Sequence, residues 1–264
     1  MRAYDFEYNG RSLSDFGMII CNFGSNGMKT ISLGSNITFH TISSMRGSKH
    51  EMTSSSYEEC LNATIQICKN SCSDKDNEIT SDEIREVMKW LNRKSFHKFK
   101  LLTAEYIDYY FEASFNVSKM EYDGTVYGLE LEMVTNRPFA LMEPIQITLK
   151  NTEANGIKYI SSQSDEEGYI YPEMKILIEE DGDLVLHNAL ENRTMQISGC
   201  KSGEVISLNY PMISTSLSSH KIQNDFNWNF FRIANSFSDR KNTLTISIPC
   251  TIELTYSPIV KLGI

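Results

Sequence analysis

Residues 80–102 read TSDEIREVMKWLNRKSFHKFKLL, and the fold of the chain turns on this stretch. Thr80 and Glu83 stand at capping-box spacing, so each side chain can satisfy an orphan donor of a helix's first turn. Asp82, Glu83 and Glu86 place negative charge at the positive end of the helix dipole, and Arg93 and Lys94 place positive charge at its far end. Between them Ile84, Val87, Met88 and Leu91 recur at helical spacing, which makes one apolar face that must be buried. The spacing predicts one well-capped amphipathic helix that runs directly into a strand and covers a sheet. This is architecture rather than an active site.

Outward from the helix the pattern is that of strands. Tyr4, Phe6 and Tyr8 alternate with Asp5, Glu7 and Asn9, and Ala63, Ile65 and Ile67 alternate in the same way. Asn9-Gly10, Asn26-Gly27, Asp123-Gly124, Asn155-Gly156 and Asp181-Gly182 suit the left-handed turns of two-residue hairpins. The clearest is Asp123-Gly124, with one arm at residues 106–122 and the other carrying Tyr127, Leu129, Leu131 and Met133; a long antiparallel hairpin is predicted there. Residues 42–59 differ: they are rich in Ser with few aliphatic residues, and read as a loop or an arm that needs a neighbour to order it. A boundary falls near Asn136-Arg137-Pro138 or at Pro144, dividing the chain into residues 1–142 and 143–264. Beyond it short strands are expected at 174–178, 184–186, 194–197, 205–208, 244–248 and 251–256, after a set beginning with Ile145, Ile147 and Leu149. Evenly spaced short strands argue for a β-sandwich. The fold class is therefore mainly β: an α+β first domain with an antiparallel sheet, a long hairpin and one main helix, then a sandwich.

Composition excludes several classes. Hydrophobic content of 41% is that of an ordinary globular protein. The net charge of −9 is shared by both halves, with 15 basic against 19 acidic residues up to Met142 and 10 against 15 after it, so no nucleic-acid or anionic-membrane surface is expected. The local basic group of Arg93, Lys94, His97, Lys98 and Lys100 reads as a solvated face and dipole complement. The opening residues lack the apolar core of a signal peptide and no run is long enough to cross a bilayer, so no membrane insertion is expected. The six cysteines are expected to be reduced and mostly buried.

Chemistry is sparse. The five histidines, His40, His50, His97, His187 and His220, show no metal-ligand spacing, and no nucleophile elbow, phosphate loop or dinucleotide fingerprint is present. The acidic loop at 74–78 fails as a calcium loop, because Ile79 stands where glycine is needed and Arg85 where glutamate is. Glu179, Glu180, Asp181 and Asp183 surround a predicted hairpin turn, where solvated acidic residues are common. Phe226, Trp228 and Phe230 fit either a sugar-stacking platform or the inner face of one strand, and the alternation favours core packing. No catalytic, cofactor-binding or metal-ligating residue is assigned.

Taken together, these motifs resemble the distal tail protein (Dit) family of siphophages and related prophages. The matching residues are Tyr8-Asn9-Gly10 with Ser14-Asp15-Phe16-Gly17, Gln66-Ile67-Cys68-Lys69-Asn70, the helix from Glu83 to Leu91 with Phe96-His97-Lys98-Phe99, Tyr127-Gly128-Leu129 and Asn136-Arg137-Pro138-Phe139-Ala140. In the second half they are Tyr171-Pro172-Glu173-Met174-Lys175, Asn192-Arg193 and Asn224-Asp225-Phe226-Asn227-Trp228. The resemblance implies a non-enzymatic virion protein with a ring-forming first domain and a galectin-like sandwich. It also implies homohexameric rings, with back-to-back rings as an extension, set between the tail tube protein and the tail-associated tip protein, with receptor-binding proteins as further partners. Assembly would take place in the bacterial host cytoplasm, and the 42–59 arm, with Arg46, Lys49 and His50 as candidate contacts, would belt the adjacent subunit. Galectin signatures are not intact: counted from His187 their positions hold Ala189 and Glu191, and from Trp228 they hold Phe231 and Ile233. The alternative function is a host cell-wall glycan-binding module, and a cell-wall hydrolase comes third.

Overall fold

The computed structural model describes residues 4–23, 35–43, 50–58, 60–71, 77–236 and 238–263, the side chain of His50 excepted. Asn26-Gly27, Cys72, most of the acidic loop, Arg46 and Lys49 lie outside them. The chain divides into two compact units, residues 1–142 with 260–264 and residues 143–259.

In the first unit the strands are β1 (Phe6–Tyr8), β2 (Arg11–Ser12), β3 (Met18–Cys21), β4 (Ile37–Ser43), β5 (His50–Tyr57) and β6 (Asn62–Lys69), then helix α1 (Ser81–Leu91) and strands β7 (His97–Leu101), β8 (Tyr109–Tyr122), β9 (Thr125–Thr135) and β10 (Ala140–Met142). An antiparallel sheet runs in the order β2-β1-β7-β8-β9-β6-β3, with β10 added beside β8. The expected helix is present with its capping box: the Thr80 amide donates to Glu83 Oε2 at 2.7 Å and the Glu83 amide to Thr80 Oγ1 at 3.3 Å. At its other end Arg93 Nε donates to the Trp90 carbonyl at 3.1 Å.

Val87, Trp90 and Leu91 are the buried residues of α1, each worth about 1.5–3 kcal/mol of apolar burial. Trp90 is the residue that the helical stripe left out. Its ring stacks between Phe16 at 4.5 Å and Phe6 at 5.5 Å, and its Nε1 donates to the Tyr8 carbonyl at 2.8 Å. One indole thus ties the helix to β1 and to the turn before β3.

The long hairpin is also present. Tyr122 pairs with Thr125 across Asp123 (φ 51°) and Gly124 (φ 76°), the two left-handed residues of a two-residue turn. Residues 42–59, read from composition as a loop or arm, contribute instead to an antiparallel ladder of β4 and β5. Composition is a weak guide there because the backbone supplies the ladder bonds whatever the side chains, and a poor apolar count only denies the ladder a core. Residues 260–264, placed by sequence in the second domain, count with the first unit. The Ala140 amide donates to the Leu262 carbonyl at 3.1 Å, the Tyr106 hydroxyl to the Gly263 carbonyl at 3.1 Å, and Leu262 packs on the first core.

The second unit contains β11 (Ile145–Asn151), β12 (Gly156–Ser161), β13 (Gly168–Ile170), β14 (Glu173–Ile178), β15 (Gly182–Asn188), β16 (Arg193–Cys200), β17 (Val205–Asn209), β18 (Met212–Thr215), the one-turn helix α2 (Ile222–Asp225), β19 (Ile233–Asn235), β20 (Lys241–Ile246) and β21 (Cys250–Tyr256); β22 (Ile259–Val260) follows and pairs with β10. A five-stranded sheet, β11-β21-β14-β17-β18, and a four-stranded sheet, β12-β20-β15-β16, share one core in which Ile176, Ile206 and Ile252 of the first meet Leu186, Ile197 and Ile246 of the second.

Two expected hairpins are corrected. Asn155-Gly156 and Asp181-Gly182 carry the chain from one sheet to the other, β11 to β12 and β14 to β15, so neither joins paired strands. A turn dipeptide specifies a local backbone sign, and in a sandwich a corner between sheets meets the same requirement as a hairpin.

Candidate assembly surfaces

The β4–β5 ladder is the least supported structure among the described residues. It pairs with no other strand, and it exposes Phe39 (61%), Ile42 (60%) and Met52 (61%). Its root is fixed: the Glu58 amide donates to the Asn36 carbonyl at 2.9 Å, Thr38 Oγ1 to Glu58 Oε1 at 2.6 Å, and Tyr57 meets Phe139 edge-on at 5.1 Å. A two-stranded ladder without a covered face is marginal in water. Exposed apolar side chains on an arm with a fixed root make it a candidate assembly surface.

Three of the four clustered acidic residues, Glu179, Asp181 and Asp183, have structural partners. Asp181 accepts from the Ser202 amide at 2.8 Å and from Lys201 Nζ at 3.0 Å, which hold its carboxyl below the ordinary range. Asp183 accepts from the Gly199 amide at 2.8 Å and Glu179 from the Thr251 hydroxyl at 2.8 Å. These bonds pin the β14–β15 corner to β16 and the loop after it and to β21.

Sequence reasoning missed a buried cluster. Glu204, fully buried, accepts from the Lys201 amide at 3.0 Å and from the Thr215 hydroxyl, and lies 2.6 Å from His220 Nδ1; His220 Nε2 is in turn 3.4 Å from Asp225. Burial pushes the Glu204 pKa up, but the three donors outweigh it, so the carboxyl ends below its ordinary value. The cluster ties the start of α2 to the β16–β17 turn. No spacing rule brings residues 204, 215 and 220 together, so only the fold reveals it.

The expectation of core packing for Phe226, Trp228 and Phe230 holds for two of the three. Phe226 and Phe230 are buried, whereas Trp228 is 55% exposed. Alternation fails because Trp228 has φ 57°, in the left-handed region, and the chain there is not a strand. Of the galectin positions, His187 is bonded to Thr194 Oγ1 at 2.9 Å across β15 and β16. Among the described residues no three His, Cys, Asp or Glu side chains converge as a metal site.

Both units match known families. Residues 1–137 match a family described as a phage tail protein N-terminal domain, and residues 139–256 match one described as a phage tail C-terminal domain. No curated protein matches the chain. Among solved structures, that of SPP1 Dit, described as a paradigm of the hub adsorption apparatus in phages infecting Gram-positive bacteria, is similar with a TM-score of 0.63. The likeness has 10% identity and covers 97% of this chain and 99% of that one. The fold is thus shared at a level where sequence identity has almost vanished, and with two family matches that together span nearly its whole length, the chain belongs to the phage tail proteins.

Proposed function

We propose that this protein is the structural hub at the distal end of a phage tail, assembling as a homohexameric ring that joins the tail tube protein to the tail-associated tip protein. The observation that carries the proposal is the β4–β5 arm: a rooted ladder with Phe39, Ile42 and Met52 in solvent suits a belt laid across the neighbouring copy. Every subunit of a ring meets the same neighbour, so one arm per chain covers one face per chain. The family match and the SPP1 Dit fold support the tail location. Back-to-back rings and receptor-binding proteins would extend the same scheme. The structural jobs of Glu179, Asp181 and Asp183 favour a scaffold over an enzyme.

Chemical crosslinking of the purified protein tests the proposal. A ladder ending at six subunits, shortened when the arm is replaced by a tight turn, and co-purification of the intact chain with the tail tube subunit are the expected results. A ladder that stops at the single chain under all conditions counts against the ring.

A further inference from the structure

From the loop that carries Trp228, we infer that the sandwich unit binds a neutral saccharide, with the outer face of the Trp228 indole stacked on an apolar sugar-ring face and the Tyr210 ring as a second contact. The exposed indole does not read as packing. Its backbone sits at φ 57°, a region that is a genuine outlier for a bulky side chain, and such conformations persist only where surrounding bonds over-determine them.

Those bonds are present. The Asn227 amide donates to the Gln196 carbonyl at 3.1 Å, Asn227 Nδ2 and Asn229 Nδ2 both donate to the Thr194 carbonyl at 3.1 and 2.7 Å, and the Asn229 amide donates to Asn227 Oδ1 at 3.1 Å. Trp228 Nε1 donates to the Gln223 carbonyl at 3.2 Å, fixing the ring plane. The fold therefore holds a strained indole out in water with its inner side against Phe226 at 5.6 Å and Phe230 at 6.4 Å. From Phe230 the aromatic contacts continue to Tyr210 at 5.3 Å, itself 52% exposed, which stacks on Tyr171 at 4.1 Å.

The surroundings choose the ligand. Gln223 and Asn224 are exposed and precede the indole in sequence, with the exposed carboxylate Asp225 beside them, so the segment leading to this planar apolar ring carries side-chain amides, which both donate to and accept from hydroxyl groups. Residues 143–259 contain nine basic and fifteen acidic side chains, a balance that repels anionic polymers and nucleic acid. A hydroxyl-rich ligand with apolar ring faces and no charge fits what remains.

The chain has two tryptophans, and Trp90 is 2% exposed, so ligand effects on emission report Trp228. The full chain is titrated with N-acetylchitotetraose and with cellotetraose, and with polygalacturonate as the anionic control, following emission and acrylamide quenching. A saturable blue shift with reduced quenching for a neutral oligosaccharide, absent with the polyanion, is expected. Calorimetry on Trp228→Gly, which relieves the left-handed backbone, should show binding lost while melting stays cooperative; Tyr210→Ala should weaken binding about tenfold. No response to either neutral probe up to about 10 mM, the weak end of specific affinity, overturns the inference. So does binding that survives in both variants, or a response to the polyanion alone.

Discussion

The protein contains two conspicuous antiparallel hairpins in its first unit, and they solve opposite problems. The β8–β9 hairpin is embedded: Phe111, Ala113 and Phe115 from one arm and Leu129, Leu131 and Met133 from the other are all buried, and β7 and β6 flank it. The β4–β5 hairpin has an equally regular ladder but, among the described residues, flanking strands on neither side and apolar side chains in solvent. Backbone pairing is the same in both, so what distinguishes them is side-chain burial. The difference teaches that equal backbone pairing can come with opposite side-chain burial; under the proposed ring, the first hairpin serves the folding of a subunit and the second the joining of subunits.

Substitutions should separate these roles. The largest effect is expected for Leu131→Ala in β9: its side chain is fully buried, and the change should cost about 2–5 kcal/mol, read as a fall in the urea midpoint. A loss below about 1 kcal/mol would mean that the embedded hairpin is less packed than the geometry requires.

Next comes Glu204→Gln, which carries the same contrast of buried and exposed into the second unit. Removing a buried, multiply bonded carboxylate should cost about 1–3 kcal/mol at neutral pH. Because its folded pKa lies below the unfolded value of about 4.3, the stabilisation is present above that value and disappears as pH falls through the folded pKa. Melting curves of the parent should therefore show an acid loss that sets in around the unfolded value and grows as pH falls further, and the variant should lack the Glu204 component of it. An identical acid loss in both would place its origin elsewhere.

Gly124→Ala should cost about 1 kcal/mol, since a side chain at φ 76° is strained with nothing else within contact distance. The smallest effect on the folding of a subunit is expected from Phe39→Ser in the arm, within about 0.5 kcal/mol, although assembly should weaken. A large loss of subunit stability from Phe39→Ser would remove the distinction between the hairpins.

Much of this was legible in the residues. Thr80 and Glu83 announced the helix because a capping box is a local device, and Asp123-Gly124 announced the long hairpin because alternation on both sides agreed with it. Where two levels had to agree and only one was visible, reading failed. Asn155-Gly156 and Asp181-Gly182 gave the turn but not the destination of the next strand, which depends on sheet pairing across the whole unit. Trp228 followed the spacing of Phe226 and Phe230 and was read as core, since spacing carries no information about a backbone sign held by bonds to Thr194 and Gln196. Trp90 lay at the margin of the apolar stripe and proved to be its most heavily stacked member. The Glu204 cluster had no sequence signal.

The central claim is best tested by light scattering of the intact chain and of a chain with the arm replaced by a tight turn, at several concentrations and two salt strengths. The account predicts a mass of six times 30.2 kDa, or a concentration-dependent climb towards it, for the intact protein, and a folded species of a single, correspondingly lighter chain once the arm is gone. An intact chain that stays at 30.2 kDa throughout, or an armless chain that keeps the sixfold mass, would contradict it.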